Sequence, residues 1–381
     1  MGDAVRVAVV GAGPVGASVA WWLSTVGCDL RIYEAGVAGG EGACRHSGGM
    51  TRHVDPDPVL DRLSRLGSGV LDRWNALGLP GPSPLRRVPL WWLLDEGLAD
   101  VLQRRLREQE RDGVRHAVLL TREQAQRAAP ALRTVRAERV LHDPHAGVCD
   151  TRLLVRNLLW GAQERGARLY EHCPVRVARG AGGGVECRAA HGGHRIEADV
   201  TVLAMGQGLP HTIGDTPRAR RSVPQVQVTD VPALPGALID AASGTYLRPG
   251  ADGDAFVGWS GPRLHDGQTA MPDLAVATSK LRLLADSLGW SRMPEVLGLV
   301  PGTDAYTEDL RPLLEWGADG GTCLVGALSG RGLKYATLLG ACVADALARR
   351  VGLPRVARLQ REIDAAREVL EATARETVDA C

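Results

Sequence analysis

Lysine is almost absent from this chain. Of its 45 basic residues only Lys280 and Lys334 are lysines, which leaves 43 arginines, and one Phe and five Tyr stand beside nine Trp. A bias toward arginine, with abundant Ala and Gly, is typical of a GC-rich bacterial genome and carries no functional meaning by itself. It does make a lysine at a candidate site more informative than usual.

The chain also has little net charge and no long apolar run. The 45 basic residues face 44 acidic ones, and the formal net charge is +1. No overall field therefore attracts nucleic acid or an anionic membrane. Every apolar run is far shorter than the roughly 18 residues of a membrane span. We expect neither nucleic acid nor a membrane as a partner.

Paired cysteine motifs are missing as well. Eight cysteines are scattered without a Cys-x-x-Cys pair, so no zinc site is expected, and reduced thiols in a cytoplasmic protein are predicted. The first residues run directly into an apolar strand that a glycine motif needs, so we expect no cleaved signal peptide. A length of 381 residues predicts two domains. A monomer and a homodimer both stay open.

The first 35 residues predict a strand, a turn, a helix and a second strand. Residues 5–10 form a short β-branched run, typical of a buried parallel strand. Gly11-x-Gly13-x-x-Gly16 follows, and Glu34 ends the next strand about 20 residues on. The glycines permit a tight turn, a close approach to pyrophosphate and packing of the helix on the strand, while Glu34 would bind a ribose. A dinucleotide is predicted here, either NAD or FAD.

Three further segments favour FAD. Residues 39–52 form a loop of small residues that would bring backbone close to a flat ligand. A strand at 200–205 ends in Gly206-Gln207-Gly208, which predicts another small turn against the dinucleotide. A buried strand at 322–325 leads through a glycine-rich loop into a helix expected at 335–350. The N-terminus of that helix would stabilise negative charge on a reduced flavin.

Periodicity predicts the remaining elements. Helices are expected at 59–77, 104–115, 121–129, 152–166 and 272–288, with Thr121 and Gln124 forming a capping box. A tight hairpin is expected at 180–184, and antiparallel strands at 223–230, 245–248 and 254–259. The adjacent Trp91 and Trp92 should point to opposite faces of a strand.

Together with Thr245-Tyr246-Leu247-Arg248-Pro249 and Asp252-Gly253, these segments resemble the D-amino-acid oxidase and sarcosine oxidase (glycine oxidase-like) family of FAD-dependent oxidoreductases. The resemblance covers nearly the whole chain and is weakest at 80–145. It implies an α/β fold, in which a Rossmann-type FAD-binding domain (1–85, 146–215 and 317–381) is interleaved with an α+β substrate domain built on an antiparallel sheet (86–145 and 216–316). Members of the family dehydrogenate a C–N bond by hydride transfer to flavin N5. Oxygen usually reoxidises the flavin to give hydrogen peroxide, and the imine hydrolyses.

The resemblance also implies residue roles. Arg52 would lie over the flavin and stabilise its anionic reduced form, Lys334 would bind a substrate carboxylate, and Arg331 replaces the family's histidine in the late glycine-rich loop. The predicted substrate pocket contains Asp55, Trp92, Tyr246, Trp259 and Arg331. The predicted FAD contacts are Gly11, Gly13, Pro14, Val15, Gly16, Glu34, Ala35, Ser47, Gly48, Gly49, Met50, Thr51, Arg52, Val175, Gly206, Gly330, Gly332, Leu333 and Lys334.

Three departures from the family pattern affect the expected chemistry. Asp55 stands where sarcosine oxidases carry a second carboxylate-binding arginine, so it would repel a carboxylate and attract an ammonium or hydroxyl group. Residues 258–266 contain no lysine to activate oxygen, which leaves an oxidase and a dehydrogenase both open. Asp304 stands where a cysteine would attach the flavin, so noncovalent FAD is expected, with attachment through Cys44 or His46 as the alternative.

The expected activity is FAD-dependent oxidation of an amine or amino acid, with O2 as electron acceptor and a role in specialised metabolism left open. One alternative is a flavin-dependent hydroxylase that uses NAD(P)H, although the usual Gly-Asp-Ala-Ala-His element is missing from residues 326–332. Another is a non-catalytic FAD-binding protein, against which Arg52 and Lys334 argue. His211 and His265 lack metal-ligand spacing, so no metal is expected.

Overall fold

The computed structural model describes residues 4–379 apart from 41, 46, 133–134, 181–184, 211–212, 251–252, 266–270 and 318. The helices are α1 (Pro14–Ser24), α2 (Gly42–Arg45), α3 (Pro58–Asp72), α4 (Glu96–Arg111), α5 (Arg122–Ala128), α6 (Thr151–Gln163), α7 (Leu274–Leu288), α8 (Leu333–Arg350) and α9 (Gln360–Asp379). Strands β1 to β11 are Arg6–Val10, Asp29–Tyr33, Met50–Thr51, Leu85–Arg87, Leu90–Leu94, Val118–Thr121, Arg139–Asp143, Gly147–Cys149, Arg168–Tyr170, Val175–Arg179 and Val185–Ala189. Strands β12 to β22 are Val200–Leu203, Arg218–Ser222, Gln225–Thr229, Ala237–Asp240, Thr245–Pro249, Ala255–Trp259, Arg263–Leu264, Glu295–Val300, Thr303–Thr307, Leu313–Trp316 and Thr322–Gly326.

A six-stranded sheet in the order β21-β22-β12-β1-β2-β9 carries the glycine motif. Strand β1 pairs in parallel with both β2 and β12, while β21 is antiparallel to β22. Alternate residues of β1 face two different cores. Val7 and Val9 pack against the helices, whereas Val10 faces the side covered by the β10–β11 hairpin. Burial on both faces explains why β1 is apolar without alternation.

Helices α6 and α8 pack closely against α1 because glycines lie at the crossings. A Cβ added at Gly340 would lie 2.8 Å from the backbone carbon of Ser18, and one at Gly161 would lie 2.7 Å from the Trp21 ring. Trp21 and Trp22 are buried in this core, so both contribute to packing.

An eight-stranded sheet in the order β19-β14-β17-β16-β15-β5-β7-β6 is the second large sheet. Its described pairings are antiparallel except for the parallel pair β15–β5. Trp91 belongs to the same core cluster as Leu281 and Leu284 of α7, while Trp92 lies in a separate cluster on the opposite face. The predicted opposite orientation of these two tryptophans is confirmed, as is the α/β fold with an antiparallel sheet.

The predicted helices are present, but several of their boundaries are wrong: predicted 59–77 ends at Asp72, and predicted 104–115 is Glu96–Arg111. Helices α3 and α6 lie close to their predicted positions, and the capping box of Thr121 and Gln124 is formed. Helix α4 begins at Glu96, well before the predicted residue 104, because the Asp95 carboxylate accepts a hydrogen bond from the Leu98 N–H and caps the helix. Most of the predicted 180–184 hairpin lies outside the described residues, as do Asp252 and His211.

The described part of the chain contains no helix that is long and apolar enough to cross a membrane. Its described residues also include no group of His, Cys, Asp and Glu placed to hold a metal ion.

Strand β21, which the predicted boundaries assign to the substrate domain, pairs with β22 in the six-stranded sheet. The domain boundaries therefore stay a prediction.

Candidate active site

A large cavity of about 1090 Å³ extends from the glycine motif to the eight-stranded sheet. It brings together residues from the start, middle and end of the sequence. All predicted FAD contacts line it except Gly16 and Thr51, and all predicted pocket residues line it except Asp55. Thr51 is buried in β3, where its backbone is paired with Gly147.

Close backbone contacts leave room only for glycine at two positions of the glycine motif. Gly11 has a φ of +98°, and a Cβ there would collide with the Ala204 carbonyl oxygen and lie 2.8 Å from its carbon. A Cβ at Gly16 would collide with the Gly11 carbonyl oxygen. Gly16 thus serves the packing of α1 on the loop, as expected for the third glycine of the motif, and this explains its absence from the cavity wall.

The N-terminus of α1 is open to an anion. Its N-cap is Gly13, which supplies no side-chain hydrogen bond, and the first turn contains no acidic residue. The backbone N–H groups at this end therefore lack side-chain acceptors and present a partial positive charge to the cavity. Glu34 lies beside them, held by hydrogen bonds from the N–H groups of Ala12 (2.7 Å) and Gly36 (3.1 Å).

The loop before α8 is held in an unusual backbone conformation. Ala327 and Ser329 have φ values of +46° and +53°, which side-chain-bearing residues seldom adopt. Hydrogen bonds from the Ser329 N–H to Ala305 (3.0 Å) and from the Gly330 N–H to Asp304 Oδ2 (2.8 Å) fix the loop to β20. This anchoring places Arg331, Leu333 and Lys334 on the cavity wall.

A cluster of charged side chains occupies this end of the cavity. The fully buried Asp55 pairs through Oδ2 with Arg52 (2.5 Å) and through Oδ1 with Arg331 (3.0 Å). Lys334 Nζ donates to the Arg331 carbonyl oxygen (3.0 Å), and the Arg52 guanidinium lies 4.9 Å from the centre of the Trp92 ring. Two arginines neutralise Asp55, and the residue is fully buried and does not line the cavity, so the prediction that it attracts a substrate ammonium is not supported. Asp55 is the counter-ion of the two arginines.

Burial and neighbouring charges shift the pKa values of Asp55 and Lys334 in this cluster. Burial raises the pKa of Asp55, but the charges of Arg52, Lys334 and Arg331 outweigh burial and hold it below its usual value. Burial lowers the pKa of Lys334 well below its usual value, and Arg52 adds to the effect. Burial thus opposes protonation of Lys334. The cluster remains cationic through two arginines against one carboxylate.

Comparison with protein families matches residues 6–346 to DAO, FAD dependent oxidoreductase. The chain belongs to this family. Similar solved structures include glycine oxidase from Geobacillus kaustophilus (21% identity, 90% of this chain and 94% of that chain, TM-score 0.73). They also include L-proline dehydrogenase from P. horikoshii (18%, 94% and 96%, 0.77) and iminodiacetate oxidase from Chelativorans sp. BNC1 (21%, 94% and 98%, 0.70). At these identities the likeness shows a shared fold. No curated protein sequence gives a significant match.

The family's cofactor, FAD, fits the cavity. Gly11 brings backbone close to the space beside α1, whose uncapped N-terminus suits a pyrophosphate. At the other end, α8 also begins without a side-chain cap or an acidic first turn, next to Arg52 and Arg331. Positive charge therefore lies at both ends of the cavity: one end suits the pyrophosphate, and the other suits the negative charge of a reduced flavin.

Arg221 and Tyr306 are among the cavity-wall residues that sequence reasoning missed. Asp304 also lines the cavity. The sequence analysis singled it out only because it stands where a cysteine would attach the flavin. Strand alternation could have found Tyr306, which lies two residues from Asp304 on β20. Arg221 belongs to β13 and faces Asp304 through strand pairing, a register that local sequence does not specify.

A second polar network holds the backbone of residues 52–55 of the flavoenzyme in place. Asp143 Oδ2 contacts both the backbone N–H (2.9 Å) and Nδ1 (3.1 Å) of the buried His53. Gln109 Nε2 donates to the His53 carbonyl oxygen (3.0 Å) and to Asp61 Oδ1 (2.9 Å). Asp61 Oδ1 also accepts from the Asp55 N–H at 3.0 Å. Helices α3 and α4 and strand β7 thus fix the backbone that carries Arg52.

His53 should make the stability of the protein pH-dependent. Burial lowers its pKa, but the hydrogen bonds and charges of Asp143 and Asp72 outweigh burial and raise the pKa to about 9. A raised pKa adds stability that is complete below the unfolded value near 6.5 and is lost as the pH rises through about 9. The wild-type free energy of unfolding should therefore fall by about 3 kcal/mol across this range, relative to a His53→Gln variant.

Denaturant unfolding at a series of pH values measures this difference. The matched control is His191→Gln, because His191 is exposed and should leave the wild-type pH dependence in place. Parallel curves for wild type and His53→Gln would show that protonated His53 does not stabilise the 52–55 segment.

Proposed function

We propose that the protein oxidises an amine or amino acid at a C–N bond. FAD, when bound, supplies the hydride acceptor for such a reaction. The observation that carries the proposal is that one cavity is lined both by Arg52 and Arg331, which share the buried counter-ion Asp55, and by an aromatic wall of Trp92, Tyr246 and Trp259. This pairing of charge and apolar surface suits a small substrate that has a polar head and an apolar part.

Three groups of residues have distinct roles in the proposed reaction. Arg52 and Arg331, together with the N-terminus of α8, stabilise negative charge that develops on a ligand in the cavity. Asp55 holds both guanidinium groups in place through one buried carboxylate. Trp92, Tyr246 and Trp259 exclude water and position the substrate, which is the main task of the protein when the cofactor carries the reaction.

Lys334 is proposed to help bind a substrate carboxylate through its contact with Arg331. Lys334→Met removes the donor to the Arg331 carbonyl oxygen and should weaken binding of carboxylate ligands by about tenfold, the equivalent of about 1.4 kcal/mol, while FAD stays bound. Lys280→Met is the matched control, because Lys280 Nζ also donates to a carbonyl oxygen, that of Ser243 at 2.7 Å. Titration with benzoate and acetate measures both variants. Equal affinities in Lys334→Met and wild type would remove this role.

Noncovalent attachment of FAD is also part of the proposal. Among the cysteines whose side chains are described, Cys173 alone lines the cavity, and its N–H donates to the Glu34 carbonyl oxygen at the predicted ribose end. The alternative attachment residue His46 and the side chain of Cys44 lie outside the described part of the chain. Acid precipitation should release all of the FAD into the supernatant. Yellow colour retained by the washed precipitate would contradict noncovalent binding.

Product formation in air tests the proposed reaction and the acceptor together. Purified protein is incubated with D- and L-amino acids, N-methyl amino acids and simple amines, and hydrogen peroxide and the carbonyl product are measured. Peroxide and carbonyl product in equal amounts are expected with an accepted amine. Carbonyl product formed only with an added artificial acceptor would indicate a dehydrogenase, and turnover that requires NADPH would favour the hydroxylase.

A further inference from the structure

Asp304 presents a carboxylate to the cavity without a cationic partner. Among the residues that the structure describes, no Lys, Arg or His nitrogen lies within 4 Å of its oxygens. Asp304 instead accepts hydrogen bonds from two backbone N–H groups, at Oδ1 from Ala305 and at Oδ2 from Gly330, both at 2.8 Å. Asp55 differs, because two arginines neutralise it.

The charged and titratable groups around Asp304 come from four elements. Arg221 lies opposite on β13, Tyr306 follows on β20, Arg331 belongs to the late glycine-rich loop, and Tyr335 lies on α8. Arg221 and Asp304 are register partners on one face of the sheet, yet they form no ion pair. The Arg221 guanidinium lies instead 5.5 Å from the centre of the Tyr306 ring. An anion and a cation thus face the same cavity without neutralising each other.

Such a carboxylate is suited to proton transfer. Burial raises the pKa of Asp304 to about 6, although the two backbone hydrogen bonds oppose this rise. The carboxylate is therefore ionised at neutral pH but holds a proton more readily than an exposed aspartate. Acid–base groups work best when their pKa lies near the working pH.

We propose that Asp304 binds the protonated amino group of the substrate and accepts its proton. In this step an N–H bond of the ammonium breaks, an O–H bond forms on the Asp304 carboxylate, and the electron pair stays on nitrogen. The neutral amine is the form from which the α-carbon can release a hydride, and FAD, when bound, would supply the acceptor. Asp304 is a catalytic residue in this sense, and its assignment rests on the proposed oxidation of an amine.

A binding experiment on the FAD-loaded protein tests the ammonium contact without turnover. The probes are tert-butylammonium, which has no hydrogen on the carbon beside nitrogen, and pivalate, its carboxylate counterpart of the same shape. Calorimetry should show that wild type binds tert-butylammonium above pH 6 and that its affinity falls about tenfold per pH unit below the pKa. Asp304→Asn should lower the affinity for tert-butylammonium at pH 8 by at least tenfold and should not lower the affinity for pivalate.

Asp240→Asn is the matched control, because Asp240 is buried, lines the cavity and accepts two backbone N–H bonds at 3.3 Å. It should retain wild-type binding of tert-butylammonium. Loss of binding in Asp240→Asn rather than Asp304→Asn would overturn the assignment. Equal weakening of both probes by Asp304→Asn would also overturn it, because Asp304 would then act only as the anchor of Gly330.

Anaerobic reduction of FAD tests the proton transfer. With the amine that reduces wild type fastest, the rate in Asp304→Asn should follow the neutral fraction of that amine and rise about tenfold per pH unit from pH 7 to 9. Asp304→Glu should restore part of the wild-type rate at pH 7. Identical pH profiles for Asp304→Asn and wild type would refute proton transfer to Asp304 and would not touch the proposed oxidation. If no amine reduces wild type, the proposed function itself fails.

Discussion

Gly11→Ala should abolish FAD binding, whereas Gly27→Ala should leave it intact. The two glycines share a positive φ, +98° and +81°, so an alanine at either position bears a similar conformational strain of roughly 1 to 2 kcal/mol. Their surroundings differ. No atom lies within 4 Å of a Cβ at Gly27, while a Cβ at Gly11 collides with the Ala204 backbone.

The collision at Gly11 cannot be relieved by a small shift. Gly11 follows β1 directly and Ala204 follows β12, and these two strands are paired from Val7 to Val10. An alanine at Gly11 must therefore push the loop toward the space beside the α1 N-terminus. We expect the affinity for FAD to fall at least about 100-fold, equivalent to about 2.8 kcal/mol.

The flavin content of the two purified variants, followed by titration of the apoproteins with FAD, measures this effect. Gly11→Ala should be colourless and should not be reconstituted, and Gly27→Ala should be yellow. FAD bound equally well by both variants would mean that the cofactor does not approach the backbone at Gly11.

Asp55→Asn should be the most destabilising single substitution in the cationic cluster. It leaves Arg52 and Arg331 close together without their common counter-ion, and Asp55 itself is fully buried. Removal of one partner from a buried ion pair costs about 3 to 5 kcal/mol, because the remaining charge is uncompensated. The lowered pKa of Asp55 fixes the pH range of the effect. Its stabilisation is present above its usual value of 3.8 and is lost as the pH falls through its lower folded value.

A double-mutant cycle at pH 7 separates the ion pair from other effects. Asp55→Asn, Arg331→Gln and the double variant are unfolded with denaturant, and the double variant should be more stable than the sum of the single changes predicts. Additive changes would show that Asp55 and Arg331 are not energetically coupled.

Local sequence predicted the parts of the site that lie in one stretch of chain. Gly11, Gly13 and Glu34 belong to a strand, turn, helix and strand that follow one another, so their spacing alone indicates a dinucleotide site. The late loop and α8 are likewise contiguous, and Lys334 was recognisable because lysine is so rare in this chain. These residues do line the cavity.

Contacts between distant segments were not predictable in the same way. Asp55 and Arg331 are separated by most of the chain, and only the fold shows that the aspartate pairs with the arginine. The pairing of Arg221 with Asp304 depends on the register of β13 and β20. A one-residue slip in that register would turn either side chain away from the cavity.

The most direct test of the whole account is the visible spectrum of the purified wild-type protein under anaerobic conditions. The protein should be yellow with bound FAD, and at least one amine or amino acid from the substrate panel should bleach it, whereas NADPH alone should not. A colourless protein that FAD does not reconstitute, or flavin that NADPH bleaches and no amine does, would contradict the account.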